Sequence, residues 1–137
     1  MARENGASEA GAGENGVVDW TGKPFSCQEC PHQAIREEGR CVLGRICVRD
    51  QRAKRIDRFF AANTGVVGEY LEHPYFEIRA IAAKHANVFM LPRIMRDKDP
   101  EVRAMVAMRL PKLRVREMME DEDRKVRIAC AMRLEGA

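Results

Sequence analysis

Aromatic residues are scarce, with one Trp, two Tyr and five Phe in 137 residues. Any core must therefore rest on Val, Ile, Leu, Met and Ala, and the length allows one domain with appendages. No apolar run approaches the roughly 18 residues that a membrane span needs. The opening residues are acidic and rich in Gly and Ala, without the basic-then-apolar order of a secretion signal. A cytoplasmic protein without a membrane partner is the expectation. Also lacking are a glycine-rich phosphate loop and any Ser-His-Asp or Cys-His set, and helix caps and solvated faces account for the carboxylates. Nothing nominates a catalytic group, so a non-enzyme is expected. Cysteine, too, is missing from most of the chain: of five, only Cys130 lies beyond Cys47.

The other four are concentrated. Cys27, Cys30, Cys41 and Cys47 fall within 21 residues, as a CxxC pair, ten residues, a cysteine, five residues and a cysteine. In a reducing compartment such a group points to metal ligands or redox thiols before disulfides. Four thiolates suit either zinc or an iron-sulfur cluster, and both use the CxxC separation. A structural zinc site usually brings a second close pair, whereas the wider step from Cys41 to Cys47 is easier to wrap around a cluster. Spacing alone leaves both open, with free thiols or a disulfide as further readings. His32 is an outside candidate for a ligand and otherwise a loop residue. A catalytic redox pair at Cys27 and Cys30 would need a depressed thiol pKa and a helix start, of which the pattern gives no sign. Pro31, Gly39 and Gly44 keep this stretch loop-rich, so a metal rather than an apolar core would hold it folded.

The net charge of +3 is unevenly placed. Residues 1–22 hold one basic and four acidic groups, residues 23–58 nine and five, and residues 59–137 fourteen and twelve. The positive excess is densest around the cysteines, where it would stabilise metal-bound thiolates or form a solvated basic face. Residues 1–16 contain no aliphatic side chain larger than Met1 and are expected to form a disordered tail. Val17, Val18, Trp20 and Phe25 follow, and Trp20 and Phe25 are expected as a small apolar lid over the cysteines. Stacking on nucleic acid is the lesser reading for this pair.

Beyond Cys47 an internal repeat sets the architecture. Glu77-Ile78-Arg79-Ala80 recurs as Glu101-Val102-Arg103-Ala104 and as Lys125-Val126-Arg127-Ile128, offset by 24 residues each time. Ala82, Val106 and Cys130 share a column, as do Val67, Leu91 and Val115, which makes Cys130 a buried core thiol. The units read as 49–72 (degenerate), 73–96, 97–120 and 121–137 (partial). Asp99 and Asp123 are expected N-caps, and Pro100 suits the first helical position. A period this short fits one helix of about three turns and a shorter element, either α or 3-10, such as Leu113 to Met119. The hand of the stack stays open. Arg55, Arg79, Arg103 and Arg127 form a column that would be either a basic binding stripe or a ladder bonded to acids such as Asp97 and Asp121, and the ladder is favoured. His85 aligns with Arg109 and Arg133 and is expected on the solvent side, while His73 falls in an inter-unit turn.

Together the cysteine group, the Arg-Ile-Asp-Arg-Phe-Phe segment at 55–60 and the units containing Asp-Pro-Glu-Val-Arg resemble the leucine-rich repeat variant proteins that carry a four-iron four-sulfur cluster near the N-terminus. The resemblance covers roughly residues 19–137. It implies an all-α fold: a short right-handed solenoid alternating α and 3-10 helices over 49–137, preceded by a loop-rich cluster-binding module at 17–48. It implies that Cys27, Cys30, Cys41 and Cys47 ligate a 4Fe-4S cluster. The family occurs among nitrogen-fixation genes, and no enzymatic activity is established for it. The expected function is thus a non-catalytic redox-linked module that binds a protein partner, by electron transfer or redox sensing. The alternative is a zinc-stabilised nucleic-acid-binding module using residues 36–58 and the Arg column.

Overall fold

The structure, a computed structural model, describes residues 16–135. All but the last residue of the expected tail lies outside that range. Two compact units divide between Asn63 and Thr64. Among the described residues there is no β-strand, only three isolated bridges, and no helix is long and apolar enough to cross a membrane.

The first unit holds the short helix α1 (Gln33–Glu37) and the longer α2 (Ala53–Ala62). Ile56, Phe59 and Phe60 lie on one side of α2 and are buried, with Val17, Phe25, Ile35 and Val48 completing a small core. Asn63 ends α2 and is itself buried, with its amide nitrogen donating to the carbonyls of Arg40 (3.0 Å) and Phe59 (2.9 Å). One side chain thus closes the helix and ties it to the loop after α1, at the cost of burying an amide whose partners are all supplied.

In the second unit the 24-residue step becomes structure. The helices α3 (Phe76–His85), α4 (Pro100–Arg109) and α6 (Arg124–Glu135) begin one period apart. The short elements start one period apart as well: a 3-10 helix at Thr64–Tyr70, another at Val88–Ile94, and α5 (Lys112–Val115) running into a 3-10 turn at Arg116–Met118. The third short element is thus α first and 3-10 after. Asp99 and Asp123 cap as expected, accepting from the amides of Glu101 and Lys125 at 2.8 Å each. Pro111 follows Leu110 and disfavours a further helical turn there. Ile78, Val102 and Val126 are fully buried, as are Val67, Leu91 and Val115, and Cys130 is 1% exposed in the column of Ala82 and Val106. Burying each large aliphatic contributes about 1.5–3 kcal/mol, which is how helices this short persist.

Two arginine columns join neighbouring repeats. Arg79 forks onto Asp97 (2.9 and 3.1 Å) and Arg103 onto Asp121 (2.8 and 3.1 Å). The remaining arm of Arg103 donates to the Asp97 carbonyl at 2.7 Å, and Arg127 donates to the Asp121 carbonyl at 2.8 Å. The other column corrects the expectation that position 85 and its equivalents face solvent. His85, Arg109 and Arg133 are half-buried, because Arg109 reaches back to the carbonyls of Ala83 (2.8 Å) and Ala86, and Arg133 to those of Ala107 and Leu110 (2.8 Å each). These carbonyls lie at the C-terminal ends of α3 and α4, where the negative end of the helix dipole attracts a guanidinium from the next repeat.

Candidate metal centre

The cysteine segment is shaped by five short-range devices. Asp19 Oδ1 accepts from the Thr21 hydroxyl (2.6 Å) and from the amides of Thr21 (2.9 Å) and Lys23 (3.0 Å), closing a turn in which Gly22 has φ +86°. Ser26 then caps a single 3-10 turn, Cys27–Glu29, through the Gln28 amide at 3.1 Å. Because that turn is so tight, Cys27 and Cys30 fall on one side of it. Gln33 at the start of α1 clamps the pair from below, its amide nitrogen donating to the carbonyls of both Cys30 (3.0 Å) and Cys27.

Helix α1 stops in a Schellman motif, with Gly39 at φ +78°, its amide on the Arg36 carbonyl (3.0 Å) and the Arg40 amide on the Ile35 carbonyl (3.0 Å). The chain then makes a small hairpin. Val42 and Ile46 exchange both backbone hydrogen bonds at 2.8 Å, around a turn whose third residue, Gly44, has φ +82°. Cys41 and Cys47 flank the paired residues in the same register, so the five-residue gap is the length of a hairpin that sets two cysteines opposite each other. The Cys47 amide donates to the Arg55 carbonyl at 3.1 Å, which fixes the hairpin on α2.

All four cysteines line one pocket. Phe25, His32 and Phe59 form its apolar wall, with the His32 and Phe59 rings 5.3 Å apart. Of the expected lid, Phe25 lines the pocket and Trp20 is not among the lining residues, while α2 contributes Phe59. Arg36 and Arg49 supply positive charge at the rim, and Arg49 is held by the Ser26 carbonyl (3.1 Å) and by stacking 4.8 Å from the Phe25 centroid. The His32 amide points at Cys30 Sγ, 3.5 Å away.

Burial pushes the Cys47 thiol up to about 12, against the backbone amides of Arg49 and Asp50 that pull it down. Cys41 is also raised, first by burial and then by the neighbouring Cys30 and Cys27, with Arg36 and Arg40 opposing. As free thiols Cys41 and Cys47 therefore stay protonated, so a metal would bind them with release of protons. Among the described residues no three His, Cys, Asp or Glu side chains gather tightly enough for one metal ion. The four cysteines share one pocket, and their all-thiol donor set fits an iron-sulfur cluster.

The arginine column does not present one basic stripe. Arg79 and Arg103 are buried in the ion pairs described above, 4% and 8% exposed. Arg55 donates to the buried Asp50 carboxylate at 3.0 Å, and Arg127 is exposed. Gln33, Asp50 and Asn63 were not singled out by sequence, because an isolated polar residue in a loop-rich stretch carries no period. The Asp97 and Asp121 column did carry one.

Residues 17–68 match the family described as LRV protein FeS4 cluster. An uncharacterized 27.7 kDa protein in the nifB 3' region of Rhodobacter capsulatus is 49% identical over 83 residues, which is 61% of this chain and 34% of that protein. A solved structure, a leucine-rich repeat variant with a novel repetitive protein structural motif, matches 78% of this chain and 46% of its own, with a TM-score of 0.74 and 40% identity. The chain thus spans less than half the length of either relative. Residues 17–68, which contain the four grouped cysteines, thus match the iron-sulfur segment family, and the chain shares the fold of the solved leucine-rich repeat variant.

Proposed function

We propose that this is a non-catalytic 4Fe-4S protein in which Cys27, Cys30, Cys41 and Cys47 hold the cluster and the helical repeats engage a protein partner. The observation that carries the reading is the convergence of four thiols from two separate local structures on one pocket. When bound, such a cluster supplies one-electron exchange and sensitivity to oxygen. The chain's own residues do the rest. Gln33 fixes the backbone between the first two thiols, and Phe25 and Phe59 keep water from the pocket wall. Arg36 and Arg49 place positive charge where four thiolates would carry negative charge.

The role is an electron relay or a redox sensor for that partner. A link to nitrogen fixation is supported by the similar protein from a nifB region, and a cytoplasmic setting by the free thiols the site requires. A nucleic-acid partner is disfavoured, since two of the four column arginines are committed to carboxylates. Isolation without air should give a brown protein with broad visible absorption and about four iron and four sulfide per chain. A colourless protein holding one zinc would refute the reading.

A further inference from the structure

Two grooves occupy equivalent places on successive repeats of the second unit, and their charges are opposite. The first is lined by Arg93, Arg96 and Lys98, with Glu72 on its far wall. The second is lined by Glu117, Glu120 and Glu122, with Arg96 on its far wall. Each residue of the acidic trio stands 24 positions after one of the basic trio: Arg93 and Glu117, Arg96 and Glu120, Lys98 and Glu122. All six are exposed. The ion pairs Arg79–Asp97 and Arg103–Asp121 lie at the floors of these grooves and cancel internally. Of the six, Glu117 is drawn to Arg114 on its own element. One groove is therefore left with three cations against a single carboxylate, and the next with Glu120 and Glu122 against Arg96.

The repeat makes the backbone of the two grooves alike, so nothing in the fold requires their signs to differ. A surface with adjoining positive and negative steps is complementary to itself under a two-fold rotation. The basic groove of one molecule meets the acidic groove of the other, and the reverse contact forms at the same time. We propose that this edge is a self-association surface whose partner is a second copy of the chain in antiparallel register. Exposed ion pairs are individually weak, so the association is loose, depends on several pairs at once, and is sensitive to salt. The surface is independent of the cysteine pocket.

Sedimentation velocity of the full chain, isolated without air, tests this. At low ionic strength the weight-average mass should rise with concentration, and about 0.5 M salt should weaken the association about tenfold or more. The triple variant R93E/R96E/K98E should be monomeric at low salt, as should E117K/E120K/E122K, each with the helical circular dichroism of the parent. Mixed, the two variants should associate with each other, because every groove again faces its opposite. Three results would overturn the proposal: a parent that is monomeric at every concentration in low salt, association indifferent to the reversals, or a mixture that stays monomeric. A monomer that instead binds polyglutamate or polylysine would assign the grooves to a foreign partner and equally sink it.

Discussion

Asp121 serves three neighbours at once. Its carboxylate takes both arms of Arg103 and the Asp123 amide, and its carbonyl takes Arg127. Burial raises its pKa, but those bonds and the two guanidinium charges outweigh burial and leave it below 3.8. The folded value is depressed, so the stabilisation is fully present above the unfolded pKa and is lost as pH falls through the folded one. Asp121→Asn should cost about 3 kcal/mol in urea unfolding at neutral pH, since it leaves Arg103 buried without its counter-charge. The variant should also lose less stability than the parent on acidification below about pH 4. His73 occupies the same column as Asp97 and Asp121 and does part of their work. Its Nδ1 accepts from the Tyr75 amide at 3.0 Å, and burial together with Arg79 lowers its pKa and so favours the neutral ring this bond needs. A sequence column shows the position; only the hydrogen bond explains why His can stand in for Asp there.

The hairpin between Cys41 and Cys47 depends on one glycine. Gly44 sits at φ +82° with the place of a Cβ 3.6 Å from Val17 Cγ2. Gly44→Ala should cost about 1–2 kcal/mol from backbone strain alone, read from Trp20 fluorescence during chemical unfolding of the first unit, and should speed loss of iron from the loaded protein. An unchanged midpoint would show that the turn tolerates another conformation. The long helices were legible because a 24-residue period places Asp caps and buried columns in step, and each column confirms its neighbours. The hairpin was not, since Val42-Leu43-Gly44-Arg45-Ile46 is too short for strand periodicity to register. Its cysteine spacing was visible, but the reason for the spacing was not. Phe59 is buried on the inner side of α2, and nothing in the sequence said that this core would also wall the pocket.

At the scale of the molecule, α2 divides its loyalties. By sequence it begins the repeat series at residue 49, yet it belongs to the compact unit that contains the cysteines. It holds the hairpin through the Arg55 carbonyl, carries Phe59 to the pocket, and buries Asp50 against Arg55. Loss of the metal site should therefore reach further than the cysteine loops. Cys41→Ser should abolish the visible chromophore and loosen residues 17–63, seen as rapid amide exchange in α2. The second unit, with its own buried columns, should keep its amide protection and most of the helical circular dichroism. Simultaneous loss of protection from Ile78 to Cys130 would mean that the two units fold as one.

The paired arginines and aspartates also act as a gauge. Each fork spans 18 residues from one repeat into the next, and its two-bond geometry accepts no slippage. A single residue inserted within one of these spans would pull that fork off its carboxylate, whereas a whole block of 24 would leave each fork one. Chains of this kind can therefore lengthen or shorten only in complete steps, and the ladder that stiffens each molecule also sets the unit in which its lineage can change size.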